Sequence, residues 1–313
     1  MKSIIDDIAN DLNIPKKLQQ ESLNTSRKLV KHIKIPKRDG GYRLIYQPSK
    51  KVKVIQYWLI ANIFSKMKIH PAATAFVKRS SIKRNALIHK KGKYFLKLDF
   101  KDFFPSISFE DFKPILKDWV GSKYRGDYLD VVRLVCFYKN DSLPIGYPTS
   151  PIISNIVMYN FDTIIFSKLS NKEKYGIVNY SRYADDMTFS TNLKGACRKI
   201  KSMVEETLKE ISSPCLHLNP KKTIFASASG GSALVTGLRI CYDGHLTIHR
   251  KYKDKIRLLL SLYKKNKLSD EEILSLTGHL SYIKFVDGAF YTKIQNKYFK
   301  SIQEIIQYSP TSL

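Results

Sequence analysis

The chain has 313 residues, of which 43% are apolar, and its 54 lysines and arginines against 27 aspartates and glutamates give a formal net charge of +27. It is long enough for one large domain or two or three coupled subdomains. We expect a cytoplasmic protein, because no apolar run approaches the ~18 residues of a membrane span and the N-terminus lacks a signal-peptide core. The charge far exceeds the ~2–8 that solubility needs, which indicates a polyanionic partner, most simply nucleic acid.

The first third of the chain predicts a mixed, strongly basic region. Residues 1–35 favour helices with a break at Pro15, residues 36–41 a turn, and residues 42–48 a strand. Residues 52–67 predict an amphipathic helix whose buried stripe contains Trp58, Leu59, Ile63 and Phe64. Residues 61–98 hold ten basic side chains and no acidic one. This run is either a solvated face or a cationic surface that leads to Asp99.

Asp99 ends an apolar run, residues 95–98, and aromatic residues follow it. This pattern is typical of a core strand that delivers one carboxylate to the edge of a sheet. Residues 110–139 predict one or two helices. A loop rich in proline and glycine, residues 143–151, then precedes an apolar helix predicted over 152–166.

The stretch from Tyr180 to Ser190 predicts a β-hairpin with Asp185 and Asp186 at its tip. Two adjacent carboxylates repel each other and favour a bound divalent cation, although a lone Asp-Asp pair is also common in solvated turns. If Asp99 lies beside this tip, three carboxylates can hold two Mg²⁺ ions, the arrangement that drives phosphoryl transfer.

The remaining chain predicts a helix over 196–211, a strand and turn over 216–223, and strands at 234–240 and 246–248. A turn at Asp243-Gly244 joins the last two strands into a hairpin. Helices follow over 251–265, 269–285 and 290–307. The four cysteines lack metal-ligand spacing and are interpreted as buried thiols, and His245 and His249 lack a third metal ligand.

Three blocks resemble the active-site set of reverse transcriptases: Asp99 to Phe104, Leu143 to Pro151, and Tyr183-Ala184-Asp185-Asp186. The order and spacing match from about Arg43 to Gly237. Within that family, residues 85–89 resemble the Asn-Ala-x-x-His signature of bacterial retron reverse transcriptases, and residues 235–237 resemble their Val-Thr-Gly signature. The resemblance implies an α+β right-hand polymerase, with an N-terminal region and fingers over 1–98, a palm over 99–240 that carries a fingers insertion at about 110–150, and a helical thumb over 241–313. The palm is expected to be an antiparallel sheet flanked by helices.

The resemblance also implies roles for single residues. Asp99, Asp185, Asp186 and the backbone carbonyl of Phe100 would bind two Mg²⁺ ions. Nucleotide contacts are implied for four residues, with Phe104 excluding a ribose 2′-hydroxyl and Lys222 neutralising or protonating the pyrophosphate; the set is Arg43, Phe104, Gly146 and Lys222. Ile145 departs from the glutamine common in the family, which puts fine substrate contacts in doubt.

Contact with RNA is implied for seven residues: Lys78, Arg79, Asn85, His89, Arg250, Lys251 and Lys255. Asn85 and His89 can equally shape the fingers through hydrogen bonds. The implied partners are dNTPs, a cognate non-coding RNA, the DNA product and a separate effector protein in anti-phage defence, with priming from an RNA 2′-hydroxyl to give branched msDNA. Two alternatives stay open: another bacterial reverse transcriptase, of group II intron or abortive-infection type, and a catalytically silent RNA-binding scaffold.

Overall fold

The computed structural model describes residues 3–37, 40–122, 126–231 and 233–308. Two residues of the predicted 36–41 turn and the outermost residues of the first and last predicted domains lie outside these ranges. Fourteen α-helices occur in the described chain: α1 (Ile4–Leu12), α2 (Lys16–Asn24), α3 (Lys50–Asn62), α4 (Ile82–Ile88), α5 (Phe109–Val120), α6 (Asp127–Cys136), α7 (Ser150–Val157), α8 (Tyr159–Lys168), α9 (Lys172–Tyr175), α10 (Ala196–Glu210), α11 (Arg250–Lys264), α12 (Asp270–Val286), α13 (Gly288–Lys297) and α14 (Phe299–Gln307).

The described strands form three antiparallel sheets. Their bounds are β1 (Lys31–Pro36), β2 (Tyr42–Gln47), β3 (Tyr94–Asp99), β4 (Val178–Tyr183), β5 (Asp186–Thr191), β6 (Ile224–Ser227), β7 (Leu234–Val235), β8 (Leu238–Ile240) and β9 (Leu246–Ile248). β1 pairs with β2, the central sheet has the order β4-β5-β3-β6, and β7, β8 and β9 form the third sheet. The mixture of helices with antiparallel sheets agrees with the expected α+β class.

Two hydrophobic cores support these sheets. The larger one joins α1–α3 and α5–α10 to the inner face of the central sheet, and it contains all four residues of the buried stripe predicted over 52–67. The smaller core joins β7–β9 to α11–α14 and also takes in Ala86 of α4 and Phe95 of β3. The helices after residue 249 therefore pack around the smaller core together with β7–β9, apart from the larger core. The bounds of fingers, palm and thumb stay predictions, and β3 begins before the expected boundary at residue 99.

Several local predictions were wrong. Residues 31–35 were expected to be helical but form β1, which pairs along its whole length with β2. The helix expected over 152–166 is interrupted at Met158, and the last expected helix is interrupted at Tyr298. The strand expected over 234–240 is instead a hairpin, because Thr236 and Gly237 both adopt positive φ values, 45° and 82°. A pair of positive φ values matches the twist of a two-residue hairpin turn.

No helix in the described ranges is long and apolar enough to cross a membrane.

Candidate active site

The three predicted carboxylates meet at one end of the central sheet. The antiparallel register of β3 and β5 places Asp99 directly opposite Asp186, which in such a pair brings the two Cα atoms to about 4.5–5.5 Å. Asp185 lies in the turn between β4 and β5, and its backbone carbonyl accepts a hydrogen bond from Phe100 N at 3.1 Å. The strand that carries Asp99 and the hairpin that carries Asp185 and Asp186 are thus joined through their backbones next to these acids.

A buried ion pair stabilises the turn between β4 and β5. Ala184 takes the left-handed conformation at φ 58°, which costs a non-glycine residue about 1 kcal/mol or more. Its carbonyl accepts a hydrogen bond from Arg182 Nη1 at 3.2 Å. Arg182 and Asp162 are both fully buried and their Nη2 and Oδ2 atoms lie 2.7 Å apart, and Tyr180 Oη also donates to Asp162 at 2.6 Å. These contacts hold Ala184, and with it Asp185, in position.

The position of the carboxylates raises the cost of ionising them. Burial raises the pKa of Asp99 to about 6, against the opposing hydrogen bond from Lys222. Burial also raises the pKa of Asp185, and the charge of Asp186 adds to this, whereas the charges of Lys222 and Arg43 oppose it. Arg43, on β2, therefore lies within electrostatic reach of the site. The acids form a site of concentrated negative charge that favours a cation.

Two lysines pair with these acids. Lys222 Nζ lies 2.9 Å from Asp99 Oδ2, so the residue predicted to act near the triphosphate does reach the carboxylates. Lys97 Nζ lies 2.8 Å from Asp186 Oδ2, a contact that was not predicted. Residues two apart on a strand share a face, so the position of Lys97 two residues before Asp99 on β3 was the sequence signal for it.

The carboxylate set fits a divalent metal. Asp99 Oδ1 is buried and has no hydrogen-bond partner, and a buried carboxylate oxygen without a donor is costly unless a cation contacts it. Carboxylate oxygens and backbone carbonyls are the ligands that hard divalent cations prefer. Asp99, Asp185 and Asp186 supply carboxylate oxygens, and the backbone carbonyl of Phe100 is the predicted fourth ligand group.

Comparison with known proteins identifies the family. The reverse transcriptase (RNA-dependent DNA polymerase) family matches residues 35–264. The chain is 48% identical over 278 residues to the Retron Ec73 reverse transcriptase of Escherichia coli, covering 87% of each protein, and 36% identical to the Retron Ec83 reverse transcriptase of the same species, covering 88% of this chain and 89% of the relative. The chain belongs to the bacterial retron reverse transcriptases. It is thus an RNA-directed DNA polymerase, and this family uses divalent metal ions.

The fold agrees with this assignment. A telomerase from Candida albicans, solved with a TWJ fragment of telomeric RNA, superposes with a TM-score of 0.53 at 15% identity, over 95% of this chain and 63% of the telomerase chain. The apo telomerase of Candida tropicalis gives a TM-score of 0.51 at 13% identity, over 88% of this chain and 61% of the other. The retron reverse transcriptase therefore has the right-hand polymerase fold that was predicted.

The loop that carries Gly146 packs against the hairpin formed by β1 and β2. Tyr46 N on β2 donates to the carbonyl of Ile145 at 2.8 Å. Gly146 has φ 109°, and a Cβ there would lie 2.6 Å from both Ile45 Cγ2 and the carbonyl oxygen of Tyr46. Only glycine fits this close approach. The contact joins the loop to the strand that also carries Arg43, and the nucleotide contact of Gly146 stays a prediction.

Phe103 and Phe104 differ in exposure. Phe103 is 3% exposed and belongs to the larger core, and it stacks on Phe100 with ring centroids 5.6 Å apart. Phe104 is only partly buried and packs against the exposed Phe76, at 6.5 Å between centroids. An aromatic surface next to the Asp99 strand suits the predicted contact with a nucleotide sugar, which stays a prediction.

The predicted contact of Asn85 and His89 with RNA is wrong for this structure. Their exposed fractions are 1% and 0%. His89 bonds through its two ring nitrogens to Ser190 and Ser181, at 2.8 Å each, and burial lowers its pKa to about 3, so it is neutral. Asn85 Oδ1 accepts from Thr74 Oγ1 at 2.9 Å. The contacts of His89 join the C-terminal end of α4 to β4 and β5 of the central sheet, and the alternative role, shaping the fingers through hydrogen bonds, stays a prediction.

The two retron signatures lie together. Thr236, the central residue of the Val-Thr-Gly signature, donates through Oγ1 to the carbonyl of Ile82 in the first turn of α4, at 2.9 Å. Val235 is 1% exposed and belongs to the smaller core, as does Ala86 of the other signature. Both signatures thus help to connect α4 to the β7–β9 sheet.

The other five residues predicted to bind RNA have exposed side chains, two of them before α4 and three on α11: Lys78, Arg79, Arg250, Lys251 and Lys255.

The prediction of buried cysteines is confirmed for Cys136 and Cys197 and wrong for the other two. Cys215 is exposed and Cys241 half-buried, rather than both buried. Cys241, Asp243 and His245 have ligand atoms within 4.8 Å of one another at the β8–β9 turn, a grouping that the sequence spacing had not indicated.

Proposed function

We propose that this enzyme copies a cognate non-coding RNA into DNA by nucleotidyl transfer with two Mg²⁺ ions, that synthesis starts from an RNA 2′-hydroxyl to give branched msDNA, and that the product serves anti-phage defence with a separate effector protein. The observation that supports this best is the register that sets Asp99 opposite Asp186. Asp99 also has one buried oxygen without a hydrogen-bond partner, and Asp185 lies in the adjoining turn.

The metal ions would be held by Asp99, Asp185, Asp186 and the Phe100 carbonyl. Two such ions activate an attacking hydroxyl and stabilise a leaving pyrophosphate. The protein's own residues would position the substrates and neutralise their charge. Lys222 is already within hydrogen-bond distance of Asp99 and would balance the charge on the leaving pyrophosphate. Arg43 and Gly146 lie on the adjoining fingers hairpin and loop, where they would bind the incoming dNTP.

Substrate selection is assigned to Phe104. Its partly exposed ring, backed by the buried Phe103, would lie against the nucleotide sugar and exclude a 2′-hydroxyl. The RNA would be bound by Lys78 and Arg79 before β3 and by Arg250, Lys251 and Lys255 of α11. A cytoplasmic location is part of the proposal, because the template RNA and dNTPs are found there.

The test is DNA synthesis by the purified protein with the RNA that copurifies with it. Incorporation of dNTPs should require Mg²⁺ and be lost in Asp185→Asn, since the exchange removes one metal ligand while keeping the shape of the turn. Sequencing of the product and treatment with a debranching enzyme should reveal a 2′-linked RNA–DNA junction. DNA synthesis from a free 3′ end only would reject the branched product and leave a conventional polymerase.

A further inference from the structure

The turn between β8 and β9 brings three metal-ligating side chains together. Cys241, Asp243 and His245 offer a thiol sulfur, a carboxylate oxygen and an imidazole nitrogen, and these three atoms all lie within 4.8 Å of one another. His249, four residues after His245 in the sequence, is engaged elsewhere, because its Nδ1 accepts a hydrogen bond from Lys251 N at 3.2 Å. The candidate partners of His245 therefore come from its own turn.

The backbone of the hairpin places the thiol and the imidazole opposite each other. Cys241 N donates to the carbonyl of His245 at 3.0 Å, and Gly244 N donates to the carbonyl of Cys241 at 2.9 Å. Gly244 has φ 81°, the conformation that the last residue of a three-residue hairpin loop adopts. Residues that face each other across an antiparallel pair have Cβ atoms about 4.5–5.5 Å apart on one face. The side chains of Cys241 and His245 are thus neighbours by construction of the turn.

Asp243, at the tip of the turn, orients the imidazole. Its Oδ1 accepts a hydrogen bond from His245 N at 3.2 Å and lies 2.5 Å from His245 Nδ1. The backbone N–H and the imidazole of His245 lower the pKa of Asp243, so this carboxylate is ionised at neutral pH. A negative oxygen next to a ring nitrogen and a sulfur is a mixed ligand set of the kind that transition metals prefer.

The turn is also fixed against the rest of the fold. A Cβ on Gly244 would lie 2.9 Å from the carbonyl oxygen of Lys90, so the backbone of the turn lies directly on the α4–β3 loop. Cys241 is half-buried, whereas the side chains of His245 and Asp243 are 60% and 67% exposed. The sulfur is therefore partly shielded from water, and the other two ligands are open to an arriving ion.

We propose that Cys241, Asp243 and His245 form a Zn²⁺ site with water as the fourth ligand. Sulfur and nitrogen ligands favour Zn²⁺, whereas Mg²⁺ takes oxygen ligands. In a tetrahedral site with ligands at about 2.0–2.3 Å from the ion, the ligand atoms lie roughly 3.3–3.8 Å apart. Rotation of two exposed side chains is enough to close the turn to this size. The bound ion would join the two strands at the base of the hairpin.

Binding exchanges protons for the ion. Cys241 releases its thiol proton to water as the sulfur–zinc bond forms. His245 ligates as the neutral ring through the nitrogen that contacts Asp243, and its proton is then carried by Nε2. One thiolate and one carboxylate cancel the charge of Zn²⁺. A neutral site suits its surroundings, because His245 also lines a basic groove between α4 and the helices after residue 249, whose cations are Lys83, Lys90, Lys253, Arg257 and Lys293.

The first experiment detects a metal–sulfur bond. The full-length protein is freed of metal with a chelator and titrated with Co²⁺ in excess Mg²⁺, which occupies the carboxylate site. One equivalent of Co²⁺ should give the near-ultraviolet absorption of a cobalt–thiolate bond, and Zn²⁺ should abolish this absorption by displacing Co²⁺. Asp185→Asn should leave the titration unchanged. Absence of the absorption in the wild type, or its loss in Asp185→Asn, would overturn the zinc site.

The chain supplies a matched control in a second cysteine–histidine pair. Cys215 Sγ lies 3.9 Å from His217 Nε2, and both residues are exposed, but within the described ranges no third ligand joins them. Cys241→Ser should abolish the absorption, and Cys215→Ser should retain it. The opposite result would overturn the proposal.

Two further variants test the remaining ligands. Asp243→Asn and His245→Gln change exposed side chains, so they guard against misfolding of the cysteine variant. Each should weaken Co²⁺ binding at least about 10–100-fold, the loss that removal of even an outer-shell partner causes. Unchanged affinity in both variants would overturn the three-residue site.

X-ray absorption of the zinc-loaded protein gives an independent measurement. One sulfur at about 2.3 Å and lighter ligands at about 2.0–2.2 Å are expected, and zinc should raise the midpoint of thermal unfolding of the wild type and of Cys215→Ser but not of Cys241→Ser. A zinc shell of oxygen and nitrogen only, or an equal rise in all three proteins, would overturn the site. The result does not depend on the polymerase activity, since neither measurement involves nucleotide or RNA.

Discussion

The carboxylate site and the basic groove are built on opposite principles. At the carboxylate site, Lys222 pairs with Asp99 and Lys97 pairs with Asp186, and the register of β3 with β5 decides which residues lie opposite each other. In the basic groove between α4 and the helices after residue 249, cations on long side chains converge from four segments; they are Lys83, Lys90, Lys253, Arg257 and Lys293. One exchange at the carboxylate site should therefore have a large effect, whereas the positive charge of the groove should fall only in steps as cations are removed.

The largest expected effect comes from the buried ion pair under the catalytic turn. Arg182→Met leaves the Asp162 carboxylate buried without its cation and removes the donor to Ala184. Loss of one partner of a buried pair costs about 3–5 kcal/mol, so we expect a drop of that size in the free energy of unfolding, measured in urea. Arg198→Met, at an exposed position of α10, is the matched control. A drop below 1 kcal/mol would show that the pair does not determine the turn.

His89 tests whether a signature residue acts through structure. His89→Ala leaves Ser181 and Ser190 of the central sheet without their shared partner. Each unsatisfied buried group costs about 1–3 kcal/mol, so we expect a loss of about 2–3 kcal/mol of stability and unchanged RNA affinity at temperatures where the variant is folded. Lys91→Ala, an exposed neighbour, serves as control. Weaker RNA binding at wild-type stability would restore the direct contact that burial excludes.

The carboxylate geometry itself was within reach of the sequence, and its supports were not. The residue pattern predicted Asp99 at the end of a strand and Asp185 and Asp186 at a hairpin tip, and the resemblance to reverse transcriptases implied that these acids lie together. The ion pair of Arg182 with Asp162 could not be predicted from the sequence, because charged residues are expected to be exposed. The burial of this pair depends on how α8 packs against β4. Residues 31–35 have a helical pattern locally, and only pairing with β2 makes them a strand. The groove cations were counted as charge but could not be grouped before the fold brought their segments together.

The pH dependence of stability should reveal the strain of the acid cluster. The pKa of Asp99 is raised to about 6 from 3.8, so the folded chain holds this proton more tightly than the unfolded chain. Ionisation therefore destabilises the fold progressively as the pH rises from about 4 to 6, and the cost is complete above that. Without divalent metal, Asp99→Asn should be about 1–3 kcal/mol more stable than wild type at pH 7.5, with the gain absent near pH 4.

The control is Asp102→Asn, which changes an exposed carboxylate three residues away and should show no such pH-dependent gain. If Asp99→Asn proved less stable than wild type at pH 7.5, the ion pair with Lys222 would outweigh the burial of Asp99. The acid site would then resemble the groove, with charges held in balance rather than under strain.

Lys97 shares features with both regions, and its exchange should have the smallest effect. It belongs to the basic run before Asp99, as the groove lysines Lys83 and Lys90 do, yet strand register brings it to 2.8 Å from Asp186. A cation there competes with a metal for the same carboxylate. At 30% side-chain exposure the competition is partly screened, so Lys97→Met should raise Mn²⁺ affinity by a factor of about 3–10, or roughly 1 kcal/mol, measured from free Mn²⁺ by electron paramagnetic resonance. Lys101→Met, an exposed lysine equally far beyond Asp99, should leave the affinity unchanged. Equal gains in both variants would mean that Lys97 acts through net charge alone, as the groove cations do.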